Sequence, residues 1–155
     1  MSNFEIRPAS REDIDFLVAG NVAMALETEE LELDAETLRR GIEHLFEHPA
    51  EGRYLIADLD GAPAASLMLT YEWSDWRNGR FWWIQSVYVA PSARRKGAYT
   101  ALHNAVRALC AEDPESCGIR LYVARSNTGA QRTYEAVGMD ETIYRLFEEE
   151  LPEPR

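Results

Sequence analysis

The chain has 155 residues, about the length of one domain, and is 46% hydrophobic and 28% charged, so it reads as one globular unit and neither as a disordered nor as a fibrous chain. No apolar run reaches the roughly 18 residues of a membrane span, and residues 1–10 carry neither the basic nor the apolar part of an export leader. Sixteen basic against 27 acidic residues leave a formal charge of −11, which repels nucleic acid and anionic lipid alike, so no nucleic-acid and no membrane partner is expected, and with only two cysteines, Cys110 and Cys117, a reducing cytoplasmic setting is expected.

A short strand is predicted over residues 4–7. Ser10 and Asp13 then make a capping-box pattern ahead of a helix whose Ile14, Leu17, Val18 and Val22 share one face. Asp34 can cap a second helix with Leu38, Ile42, Leu45 and Phe46 at helical spacing, which His48-Pro49 ends. From Arg53 the period becomes that of a strand. Three runs, 53–59, 64–76 and 81–89, are separated by Asp60-Gly61 and Asn78-Gly79, both of which favour tight antiparallel turns. A two-residue turn at Asn78-Gly79 sets Glu72 directly opposite Gln85. Residues 97–112 form the clearest helix, with Leu102, Ala105, Val106, Leu109 and Cys110 on one stripe. A strand over 119–124 follows, and the crossover makes it parallel to 81–89. Asn127 opens a last helix to Val137, Gly138 is its C′ residue, and 141–147 is a final strand. The order βααβββαβαβ makes an α/β fold with one mixed sheet and helices on both faces. Without repeats or a linker, residues 1–155 form a single domain, with a flexible acidic and proline-containing tail from about residue 150.

The charge is uneven. Residues 76–111 hold six bases and no acid, and Arg94, Arg95 and Lys96 are consecutive. They lie between a strand ending at Val89 and a helix beginning near Gly97, where backbone N–H groups and the helix dipole gather at an anion. A pyrophosphate cradle and a merely solvated loop both fit this pattern. Cys110 and Cys117 lack the partners of a zinc site, and His44, His48 and His103 share no ligand spacing, so no metal is expected.

The segment Val89-Ala90-Pro91-Ser92-Ala93-Arg94-Arg95-Lys96-Gly97-Ala98-Tyr99 resembles the acyl-CoA motif of the GNAT superfamily of acetyl-CoA-dependent N-acetyltransferases, a valine and proline followed by (R/Q)xxGx(G/A), with Tyr99 where glycine or alanine is usual. Asn127-Thr128-Gly129-Ala130 and Tyr134-Glu135-Ala136-Val137-Gly138-Met139 are similar to that family's NxxA and YexxGF segments, with Met139 for the common phenylalanine. The resemblance, which spans residues 4–149, implies that the pantetheine arm of acetyl-CoA lies along Val87, Tyr88 and Val89 like an added strand. It further implies that Arg94, Arg95, Lys96, Gly97, Ala98 and Tyr99 hold the pyrophosphate, and that Asn127 contacts the cofactor or simply caps its helix.

Acyl transfer from a thioester needs a base for the amine, donors for the developing oxyanion and an acid for the leaving thiolate. Tyr134 matches the family tyrosine often given the last role; a packed core aromatic is the alternative. Residues 82–86 offer no base, so Glu72, opposite Gln85 and among Trp73, Trp82 and Trp83, is the candidate, against a solvated strand carboxylate. Glu27, Glu29, Glu30, Glu32, Asp34 and Glu36 form an acidic connection bordering the acceptor side in this family, which makes Glu29, with Trp73 and Gln85, a candidate for binding a cationic acceptor; a solvated face is the alternative. The expected activity is acetyl transfer to a primary amine of a small molecule or amino acid in a ternary complex, by a monomer or a homodimer. The competing reading is a non-catalytic acyl-CoA-binding or protein-interaction module using the Trp-rich hairpin.

Overall fold

Two core layers, one on each face of a single sheet, set the architecture of the computed structural model, which describes residues 3–152. The strands are β1 (Phe4–Pro8), β2 (Gly52–Leu59), β3 (Ala62–Ser74), β4 (Gly79–Val89) and β5 (Ser116–Arg120), and the helices α1 (Ile14–Glu29), α2 (Ala35–Glu47), α3 (Ala98–Glu112) and α4 (Thr128–Ala136). Leu55 and Ala57 of β2, Leu67 and Leu69 of β3, and Trp82 and Ile84 of β4 pack with Leu102 and Val106 of α3. Tyr54 and Ile56, in the opposite phase of β2, pack with Leu17 and Val18 of α1 and Ile42 of α2. Both phases of the central strands are therefore apolar, and each fully buried leucine or isoleucine contributes roughly 1.5–3 kcal/mol. The sheet order is β1-β2-β3-β4-β5, antiparallel up to β4 and parallel between β4 and β5. This is the α/β mixed sheet with helices on both faces that the sequence predicts. No helix among the described residues is long and apolar enough to cross a membrane.

Local chemistry behaves as expected at several ends. The Ser10 N–H donates to the Asp13 carboxylate at 2.7 Å, and Asp34 accepts from the Thr37 N–H at 2.9 Å. Asp60 and Gly61 both adopt positive φ, as a tight β2–β3 turn requires. Gly138 (φ +100) ends α4 in a double C-terminal lock, with Gly138 N–H to Glu135 C=O and Met139 N–H to Tyr134 C=O, both at 3.0 Å. Asp113, at the end of α3, accepts from Arg80 Nε at 2.9 Å and from the Trp82 indole at 3.0 Å, tying β4 to that helix.

Three expectations are corrected. The β3–β4 hairpin has no two-residue Asn78-Gly79 turn: Ser74 pairs with Gly79, and residues 75–78 form the loop. Gly79 serves a different purpose, since a Cβ there would lie 2.7 Å from Glu115 O, in the contact where Arg80 N–H bonds Glu115 O at 2.8 Å. Glu72 consequently pairs with Phe81, and Gln85 with Met68. Secondly, the fifth strand is Ser116–Arg120 rather than 119–124, because its ladder with β4 stops at Trp83 and Arg120. Thirdly, 141–147 is not a strand; it has no regular structure and is exposed, with Ile143 and Phe147 each 92% accessible. A strand exists only where another edge accepts its N–H and C=O groups. The tail expected from about residue 150 lies partly outside the described residues.

Candidate active site

β4 outruns β5. The two are paired from Arg80 with Ser116 to Trp83 with Arg120, after which β4 continues to Val89 beside no strand on that side among the described residues. A bulge helps to open this gap. Between the pairs Ser66 with Tyr88 and Met68 with Gln85, β3 advances two residues and β4 three, and Ser86 takes up the extra length at φ +53. Such a bulge sharpens the local twist, and here it leaves half of the backbone polar groups of Val87, Tyr88 and Val89 facing an opening instead of a ladder. Nothing in the sequence marks Ser86 as the bulged residue.

The opening runs into the basic loop. Pro91–Ala93 is one 3-10 turn, Arg95 (φ +61) and Gly97 (φ +86) are both left-handed, and α3 begins at Ala98. The first intrahelical bond is Ala101 N–H to Gly97 C=O at 3.0 Å, so the amides before it point out of the helix end. Arg95 and Lys96 are exposed. Arg94 is committed elsewhere: its guanidinium forks onto both oxygens of Glu27 at 2.7 and 2.8 Å, and its Nε donates to Val89 C=O at 3.0 Å. The Glu27 pair holds the Arg94 pKa above, and the Glu27 pKa below, its ordinary value.

Tyr99 does not line the opening with its side chain. It is buried in the core, its hydroxyl 3.0 Å from Nδ1 of His103 and its ring 5.2 Å from that of Tyr134, edge to face. Burial raises the Tyr99 phenol, and burial together with the nearby Arg107 pushes His103 down to about 4, so a neutral imidazole meets a protonated phenol. Tyr134 is half-buried on α4 against the same core, and burial raises its pKa as well. Asn127 accepts from the Ala130 N–H at 3.2 Å, the capping alternative of its two readings.

Around Glu72 the pleat matters more than sequence proximity. Glu72, Trp83 and Gln85 share the face that carries α1 and α2, whereas Tyr71, Trp82 and, by alternation, Trp73 lie on the α3 face. The expected cluster of three tryptophans around Glu72 is therefore reduced to Trp83. The Trp83 indole donates to Glu72 Oε1 at 3.0 Å, and Arg120 donates to the same oxygen at 2.9 Å. Gln85 accepts from Thr70 Oγ1 at 3.1 Å. Above this face Tyr88 packs edge-on to Phe16 of α1 at 5.9 Å and lies so close to Gly20 that a Cβ there would meet its ring at 2.6 Å. Gly20 within a helix is the one sequence signal that could have located this contact. Glu29 sits exposed at the end of α1.

These features form a splayed pair of parallel strands, a left-handed basic loop and a helix start. The model of the acetyltransferase (GNAT) family matches residues 21–139. The chain belongs to the GNAT acetyltransferase family. Acetyl-CoA is its co-substrate, and the open β4 edge with the amides before Ala101 provides hydrogen-bond donors and acceptors of the kind its two amides and pyrophosphate need. Among solved structures, the chain is similar to a possible acetyltransferase from Clostridium difficile 630 at 41% identity, covering 97% of this chain and 99% of that one, with a TM-score of 0.89. A predicted acetyltransferase with acetyl-CoA from Clostridium acetobutylicum shares the fold at 19% identity, 95% and 96% coverage and a TM-score of 0.77. AAC(6')-Iy in complex with a bisubstrate analog, CoA-S-monomethyl-acetylneamine, does so at 18% identity, 97% and 99% coverage and a TM-score of 0.76. No protein with a curated description matches the chain at a significant level.

Proposed function

We propose that this GNAT protein transfers the acetyl group of acetyl-CoA to a primary amine of a small, cationic acceptor, by direct attack in a ternary complex in the cytoplasm. The observation that carries this reading is the length by which β4 outruns β5 into the Arg94–Gly97 loop. In it the backbone of Val87, Tyr88 and Val89 pairs with the pantetheine amides, and Arg95, Lys96 and the amides from Gly97 to Tyr99 take the pyrophosphate. Arg94 braces that loop against α1 through Glu27.

The amine nitrogen forms the new bond to the acetyl carbon as the carbon–sulfur bond breaks. A main-chain N–H near Val87 donates to the carbonyl oxygen as charge develops on it. Tyr134 gives its phenolic proton to the departing sulfur, whose own acidity is within about two units of that of a phenol. Glu72 is the carboxylate proposed for the amine proton: Oε1 is held by Trp83 and Arg120, which leaves Oε2 to act directly or through water. Glu29, with the rest of the acidic connection, draws the cation in, and Gln85 borders its path. Trp73, on the opposite face, drops out of the acceptor side.

Transfer to nitrogen is tested by incubating the protein with acetyl-CoA and a panel of di- and polyamines, amino acids and amino alcohols, then reading acceptor masses before and after mild base. A base-stable acetylated product supports an amide. A base-labile product, an ester, would overturn the choice of nitrogen while leaving acetyl transfer intact.

A second reading rests on Trp76, 90% exposed at the hairpin tip, with Trp73 54% exposed nearby. Two exposed tryptophans on one hairpin fit a protein-interaction module, which predicts donor binding without turnover for every acceptor.

A further inference from the structure

Glu72 and Arg120 form an ion pair at the root of the opening, and the pair is only half used. Arg120 is the last residue of β5 to pair with β4, opposite Trp83, so it stands where the two strands part. Its Nη1 donates to Glu72 Oε1 at 2.9 Å, and the Trp83 indole donates to the same oxygen at 3.0 Å. Among the described residues Glu72 Oε2 has no donor, and Nε and Nη2 of Arg120 have no acceptor. The Arg94–Glu27 pair is the contrast: there two N–H groups meet two oxygens, and neither fork has a prong to spare. A pair that served only to tie β3 to β5 across β4 would gain from the same fork.

The seat of the Arg120 guanidinium is built into the sheet. It lies over the Phe81 ring, 3.6 Å from the centroid, and that ring can lie against β5 because Gly118 has no side chain: a Cβ there would meet it at 2.7 Å. An aromatic face holds a cation without supplying the oxygen acceptors that its N–H groups need. The Arg120 side chain is 26% exposed and that of Glu72 46%, so both remain within reach of a ligand. Next to Trp83 the Tyr122 ring, its centroid 6.2 Å away, extends an apolar wall.

A spare carboxylate oxygen beside spare guanidinium N–H groups matches a molecule whose ammonium and carboxylate are neighbours too. We infer that Glu72 and Arg120 together recognise the head group of an α-amino acid: Arg120 Nε and Nη2 take its carboxylate, Glu72 Oε2 takes its α-ammonium, and its side chain lies along Trp83 and Tyr122. This rests on the acyl-transfer reading above and narrows its acceptor to an ammonium that has a carboxylate on the neighbouring carbon. The α-ammonium gives one proton to Oε2, and the neutral nitrogen bonds to the acetyl carbon as the carbon–sulfur bond breaks. Tyr134 protonates the departing sulfur, and the second proton lost from nitrogen returns through solvent to the phenolate. The carboxylate stays bound and does not react.

Matched acceptors test this: leucine with 3-methylbutylamine, phenylalanine with 2-phenylethylamine and lysine with cadaverine, the members of each pair differing only by the carboxylate. In the wild-type chain kcat/KM should be at least about tenfold higher for the amino acid, chiefly through KM, which is the size of a charge-assisted hydrogen bond. Arg120→Gln should bring that ratio close to unity, and Arg120→Lys, which keeps the charge and loses the fork, should restore part of it. A merely structural loss, passed on through Glu72 or Phe81, acts on both members of a pair and cancels in the ratio. An undiminished ratio in Arg120→Gln overturns the proposal. Wild-type turnover of the amines without a carboxylate at equal or greater efficiency overturns it too, and leaves acetyl transfer itself intact. If no amine of either kind releases thiol, the acyl-transfer reading falls and this inference falls with it.

Discussion

Arg94 and Glu27, 67 residues apart in the chain, meet fork to fork, with Nη1 2.7 Å from one carboxylate oxygen and Nη2 2.8 Å from the other. The pair joins the basic loop to the end of α1, and so couples the proposed donor side of the opening to the proposed acceptor side. Arg94 is thereby a brace, and in the proposed function the cations left for phosphate are Arg95 and Lys96. Arg95→Ala should weaken acetyl-CoA binding by about 1–3 kcal/mol, read by calorimetric titration. Glu27→Gln should cost no more than about 1 kcal/mol of stability, because the pair is half exposed, and should raise the acceptor KM while donor affinity stays nearly constant. A larger donor-affinity loss in Arg94→Ala than in Arg95→Ala would return Arg94 to the phosphate.

Tyr134→Phe separates the acid from the core aromatic. Its ring stays, and so does its edge-to-face contact with Tyr99 at 5.2 Å. The expected outcome is a fall in kcat of roughly 10²–10⁴-fold with unchanged donor affinity and unchanged thermal midpoint. A lowered midpoint with normal turnover would make Tyr134 a packing residue only.

Acid should unfold this protein in two windows. His103 is held neutral by burial down to about 4 and titrates near 6.5 when unfolded, so below about pH 6.5 the unfolded chain binds the extra proton and stability falls as pH drops toward 4, by up to about 3 kcal/mol. Asp113, hydrogen-bonded to Arg80 and lowered to about 2, contributes stability that is present above its ordinary pKa and is lost as pH falls from about 4 toward 2. Urea midpoints across pH 7 to 3 should show both steps, and His103→Gln should flatten the first. Tyr99→Phe leaves His103 Nδ1 without its hydrogen-bond partner and should cost about 1–3 kcal/mol at pH 7.

The fold was largely legible. Leu17 with Val18, Ile42 and the Leu102-Val106-Leu109 stripe announce their helices because helical periodicity and burial coincide there, and Asp34, Asp60-Gly61 and Gly138 act through local chemistry that needs no partner. What escaped depends on neighbours remote in sequence. Gly79 reads as a turn residue, but it is required by Glu115 across the sheet; the resulting slip changes the partner of Glu72 from Gln85 to Phe81 while keeping both on one face, since the shift is even. The family resemblance puts Tyr99 in the cradle, whereas the helical turn carries its ring inward to His103 and Tyr134. The fork of Arg94 on Glu27 has no sequence signature, and the strand expected over 141–147 pairs with no other strand among the described residues.

Glu72→Gln distinguishes two roles for one carboxylate. If Oε2 takes the amine proton, the variant should lower kcat/KM by about 10²-fold or more and remove the acidic limb of its pH profile. If Glu72 only holds Trp83 and Arg120 in place, KM should rise, the limb should stay, and added salt should reproduce part of the effect on a cationic acceptor. An unchanged profile with unchanged KM would take Glu72 out of the site and leave Glu29 as the next carboxylate to test.

The central claim, that the opening beside β4 is a catalytic acetyl-transfer site, is tested most directly by thiol release from acetyl-CoA measured with and without a panel of primary amines. The expected result is release that depends on at least one amine, matches the acetylated product mole for mole, and falls by roughly 10²-fold or more in Tyr134→Phe. Acetyl-CoA that binds tightly by calorimetry yet releases no thiol with any amine would contradict it and leave a binding module.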